Sequence, residues 1–186
     1  MSVMELSEAV RQLNEENKRN NAKISGKEYK VFDKTDYWSD KAMEYFLSDI
    51  PSAEEPSEEK MRQVYRAASV HMGFFMAWII KHGFEADYPD EKRKAAQAVK
   101  AEKMSSAEFV IDFCGEAVTS EEFSDEIYTF VECYYKDEEG GYVKQYIRWV
   151  INELCDLPCE FTDSWEDYHD FEHIIDNAYN EYLKTV

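Results

Sequence analysis

The sequence predicts an all-α protein: a single-domain bundle of about seven helices around a buried central helix near residues 57–82. Three observations carry this expectation. Only six Gly and four Pro occur in 186 residues, well below the roughly 12% usual for the pair, which disfavours a turn-rich sandwich. No segment alternates apolar and polar residues convincingly at period two. Across 57–82, Met61, Val64, Ala68, His71, Phe75, Trp78 and Ile79 recur at helical spacing, and residues 71–80 carry no formal charge, so that helix is expected to be buried around much of its circumference.

The other elements follow in order. Residues 1–25 read as an N-terminal helical arm with a narrow apolar stripe (Val3, Leu6, Val10, Leu13), broken at Ser25-Gly26; residues 26–186 read as the acidic helical domain. KEYKVFDKTDYW is expected to be extended or irregular, anchored by Tyr29, Phe32, Tyr37 and Trp38. A short helix through Ala42–Leu47 and an exposed linker from Pro51 to Pro56 come next. Gly83 stands where a left-handed C-cap residue ends the central helix. Residues 90–103 form a helix with Lys92, Arg93, Lys94 and Lys100 pointing outward. Capping boxes at Ser105-x-x-Glu108, Thr119-x-x-Glu122 and Ser164-x-x-Asp167 open three further helices. Gly140-Gly141 separates the second of these from a helix over Tyr142–Leu154.

Charge is unevenly distributed. Residues 1–103 hold 19 acids against 17 bases, and residues 104–186 hold 21 against 4, so net −17 of the total −19 lies in the C-terminal part. Phosphate contact needs positive charge, so direct nucleic-acid binding is not expected, nor is attraction to an anionic membrane. No apolar run approaches the ~20 residues of a membrane span, and the opening residues do not read as a signal peptide. A cytoplasmic location with reduced thiols is therefore expected for Cys114, Cys133, Cys155 and Cys159, the first two as small core hydrophobes.

Chemical motifs are sparse. Glycines at 26, 73, 83, 115, 140 and 141 cannot make a Rossmann or P-loop cradle, and no cofactor is expected. Cys155-x3-Cys159 followed by His169-x3-His173 offers thiolate and imidazole ligands for zinc, against the plainer alternative of core thiols and surface histidines. His71 sits on the apolar face of the central helix, as a hydrogen-bonded core residue or as an acid–base group in a cleft. Carboxylates crowd the C-terminal part. Glu121, Glu122, Asp125, Glu126, Glu138, Glu139, Asp163, Glu166 and Asp167 are the candidate contacts for a cationic partner, with Trp165 and Tyr168 as anchors.

Five stretches together carry a resemblance: FDKTDYW at 32–38, VHMGFFMAWIIKHGF at 70–84, KMSSAEFVIDFCGEAVTSEEF at 103–123, FVECYY at 130–135 and TDSWEDYHDFEHIIDNAYNEYL at 162–183. Their order resembles an uncharacterised bacterial family of small acidic helical proteins found among polymorphic-toxin immunity genes. The resemblance implies an all-helical fold and, more loosely, toxin neutralisation; it carries no assigned functional residue. The expected function is an immunity-type inhibitor, not an enzyme, that binds a basic toxin, such as a nuclease, through the acidic C-terminal half. The alternatives are a zinc-binding or acid–base enzyme, or an acidic DNA-mimic regulator.

Overall fold

A computed structural model describes residues 29–48, 55–135, 137, 139–153 and 163–186. Within them lie seven α-helices and one small antiparallel ribbon. The helices are α1 (Asp36–Phe46), α2 (Glu58–His82), α3 (Asp90–Lys100), α4 (Ser106–Phe113), α5 (Asp125–Tyr134), α6 (Tyr142–Glu153) and α7 (Trp165–Leu183). The ribbon pairs β1 (Val31–Lys34) with β2 (Ala117–Thr119). The N-terminal arm and most of the Pro51–Pro56 linker lie outside the described residues.

Helix α2 is the axis of the fold, and residues 67–80 are all buried. Its ends obey local chemistry. Ser57 accepts a hydrogen bond from the Lys60 amide, Glu58 and Glu59 occupy the first turn, and Lys81 and His82 the last, which suits the helix dipole. Gly83 adopts φ 76° as the left-handed C-cap, a conformation that costs glycine no Cβ clash. Helix α4 crosses α2 very closely at Gly73. A Cβ there would stand 2.6 Å from the Ala107 amide nitrogen and 2.7 Å from the Ser106 carbonyl carbon, so only glycine fits.

The core is aromatic. Phe74, Phe75 and Trp78 of α2 meet Phe130 of α5, Tyr142 and Tyr146 of α6, and Tyr168 and Phe171 of α7, mostly in edge-on or tilted pairs. Such geometry satisfies the ring quadrupoles. Most of the tyrosines that are dense in the acidic half are therefore packing groups. A second, smaller cluster (Ala42, Val64, Ala67 and Ala68, with Trp38 and Phe46 against it) lies beneath α1, separate from the main core.

Residues Val31–Lys34 are extended, as the sequence leads one to expect, but their pairing with β2 is the main departure from that expectation. Both Phe32 and Asp33 are buried, and the register of the ribbon shifts between Val31 and Asp33. Phe32 packs among Phe123, Tyr128 and Tyr135, while Asp33 faces α2. A strand covered on both faces shows no alternation. Two successive left-handed residues, Gly115 (φ 66°) and Glu116 (φ 59°), turn the chain from α4 into β2. Thr119 caps only a 3-10 turn (Ser120–Glu122), and α5 starts at Asp125. Helix α1 starts at Asp36, earlier than expected. Cys114 is buried as expected, but Cys133 is exposed on α5.

Candidate functional site

Two regions collect the side chains capable of recognition. One is the acidic exterior of α5 and α7. These helices are neighbours, joined by Phe130 against Tyr179 (5.1 Å between ring centres) and Tyr182 (5.5 Å). Helix α7 carries Glu166, Asp167, Asp170, Glu172, Asp176 and Glu181 without one Lys or Arg. Helix α5 contributes Asp125 and Glu126 at its N-terminus, where carboxylates complement the dipole. Burial, together with the nearby Glu126 charge, pushes the Tyr179 phenol up.

The candidate contacts divide sharply. Asp125, Glu126, Glu139 and Glu166 are exposed, and Glu121 and Asp167 are half-buried. Asp167 also closes its capping box, its amide donating to Ser164 Oγ at 3.0 Å. Glu138 lies outside the described residues.

Four candidates need correction. Glu122 is 1% exposed and forms an ion pair with Lys92, with the Cys114 thiol 3.5 Å from the same carboxylate. Lys92 consequently points inward rather than out, over the Tyr88 ring. Burial pulls its ammonium pKa down, but the Cys114 sulfur and the Glu122 carboxylate beside it outweigh that and hold it above the ordinary lysine value. Asp163 is likewise spent within the fold: it accepts from Ser105 and Ser106 and lies 3.5 Å from Arg66 Nε. Tyr168 is wholly buried. Trp165 is half-buried, and Lys81 sits 5.1 Å above its ring. The cation–π contact expected with a partner is thus made inside the molecule.

The histidines sort similarly. His169 lies 3.1 Å from Glu102 and 2.9 Å from Glu172, and His173 is exposed. Cys155 and Cys159 lie outside the described residues, among which no group of three or more His, Cys, Asp or Glu is gathered for a metal ion. His82 Nδ1 lies 2.8 Å from the Trp78 carbonyl, and its ring stacks on Trp78.

The second region centres on His71, whose Nε2 donates to Asp33 Oδ2 across 3.1 Å, both groups being buried. Asp33 is the residue that sequence reasoning missed. It also accepts from the Lys34 amide (2.9 Å), Trp38 Nε1 (3.2 Å) and the Tyr135 hydroxyl (3.4 Å). Burial pushes the Asp33 carboxyl up, yet the hydrogen bond and charge of His71, with the Lys34 and Trp38 donors, outweigh it. The pKa settles below the ordinary carboxylate value. The His71 ring lies against Trp38 (4.4 Å) and Tyr146 (5.8 Å). All three line a cleft of about 850 Å³ between α1, α2 and α6, a size within the usual range for small-molecule sites. No distal motif could have disclosed the dyad: its partners are 38 residues apart, joined only when β1 lies along α2.

These features define a mostly helical domain with one small ribbon and, among its described residues, no group of side chains gathered for a metal ion. The chain belongs to a domain family of unknown function, DUF7832, whose model matches residues 31–162. Helix α7 lies beyond that match, although Phe171 and Ile175 are fully buried in the same core. No curated protein and no solved structure matches the chain.

Proposed function

We propose that this protein is a binding module that covers a cationic surface on a partner protein through the exposed carboxylates of α5 and α7. The supporting observation is α7 itself: six carboxylates on 19 residues, no Lys or Arg, and an α5 neighbour that adds Asp125 and Glu126. Like charges so crowded repel one another and cost stability, a cost that an opposite charge on a partner relieves. The resemblance to immunity-gene products sharpens the reading to inhibition of a basic toxin. A nuclease toxin fits the chemistry, since holding phosphate requires cationic groups and a carboxylate face occupies them while speeding encounter.

The test uses the polypeptide encoded beside this gene. Association is timed at about 50 and 500 mM salt, with the protein as it stands and with Asp125, Glu126, Glu166 and Asp170 all changed to Lys. Steering predicts a loss of on-rate of about tenfold or more in each arm. Association that ignores both salt and charge reversal rejects the proposal.

A further inference from the structure

The cleft beside His71 differs in character from the acidic exterior of α5 and α7. It lies where the small cluster beneath α1 meets the main aromatic core. Two small residues of α2, Ala67 and Ala68, line the space. Trp38 and Phe46 form one wall, and Tyr146 and Ile147 the other. The polar groups are few and placed at different depths. His71 stands in the wall with its ring held by Asp33. Lys41 and Lys60 line the rim, both exposed, and neither is in an ion pair among the described residues; Glu44 is the single acid that lines the cleft with them. The rim of this concave apolar site thus bears two lysines against one glutamate, a small positive surplus in the part of the chain where acids and bases nearly balance.

We propose that this cleft binds a small amphipathic organic anion: a flat aromatic body carrying a carboxylate. The aromatic walls take the ring system by stacking and dispersion. Lys41 and Lys60 receive the carboxylate at the rim, and His71 supplies one hydrogen-bonding group within the wall. A cation is disfavoured by the rim, and a neutral apolar molecule forgoes the lysines. This inference does not rest on the acidic face of α5 and α7. That face selects positive partners and the cleft selects negative ligands, so the two stand or fall separately.

The experiment titrates the full chain with 2-naphthoate and with its neutral analogue 2-naphthalenemethanol, by calorimetry and by amide chemical-shift mapping. Naphthoate is expected to bind more tightly than the alcohol, with shifts concentrated at Trp38, Ala68 and Tyr146. The double variant Lys41→Met/Lys60→Met changes only exposed side chains. It should weaken naphthoate by about five- to thirtyfold and leave the alcohol unchanged. Ile147→Trp, which narrows the cleft from its half-buried wall, should weaken both. Equal affinity for acid and alcohol, insensitivity of naphthoate to the lysine pair, shifts mapping elsewhere, or no binding at about 5 mM would each overturn the proposal.

Discussion

Replacing Asp33 by alanine tests the polar centre on which the fold and the cleft both depend. The carboxylate accepts from four donors: His71 Nε2, Tyr135 Oη, Trp38 Nε1 and the Lys34 amide. His71 and Tyr135 are buried, so water cannot replace what they lose. An unsatisfied buried donor costs about 1–3 kcal/mol, and breaking one side of a buried pair typically costs about 3–5 kcal/mol. Asp33→Ala is therefore expected to destabilise by about 3–5 kcal/mol, or roughly 8–16 °C in Tm for a chain this size. Asp33→Asn keeps an acceptor oxygen and lets His71 switch tautomer to accept from the amide, so about 1–2 kcal/mol is expected. The pH dependence has a definite sign. The folded pKa lies below the ordinary 3.8, so the stabilisation is complete above that value and is lost as pH falls through the folded pKa. Urea unfolding followed by tryptophan fluorescence, at pH 7 and between about pH 4.5 and 2.5, measures both effects. An alanine variant within about 1 kcal/mol of the parent, or an Asn variant that keeps the full acid-dependent loss, would refute this account of the dyad.

Two further outcomes follow from packing. Gly73→Ala should destabilise despite the better helix propensity of alanine, by about 1–3 kcal/mol, because the new methyl meets the backbone of Ser106 and Ala107; a stabilised variant in thermal melts would show that α4 can retreat from α2. Glu122→Ala strands the Lys92 ammonium and should cost about 3–5 kcal/mol, whereas Lys92→Met/Glu122→Leu removes both charges and should recover most of it. Equal losses in a denaturant series would contradict the pairing of these groups.

Much of the helical architecture was legible because it is encoded locally. Ser105 and Ser164 accept the amide hydrogen bonds that open α4 and α7, and Gly83 closes α2; caps act within one turn, so their residues sit together in the chain. The 3.6-residue periodicity of α2 likewise marks the central helix without reference to any tertiary contact. The ribbon escaped because its two strands span four and three residues and are covered on both faces, which leaves no alternation to read. Thr119 misled for a related reason: its side chain does cap, but only a 3-10 turn that ends where the chain crosses to Glu85.

The sequence by itself determined the helical class, the buried axis at 57–82 and the crowding of negative charge after residue 103, since these depend on spacing and composition. Tertiary structure decided which charges remain available. Glu122 and Asp163 read like their acidic neighbours, yet each is used by a distant partner, Lys92 or Arg66, because burial of a carboxylate is tolerable only where another element supplies a counter-charge. It also decided that His71 has Asp33 for a companion and a cleft beside it. Long-range pairings of this kind are set by how α1, β1 and α6 close over α2, and a linear pattern holds no record of that closure.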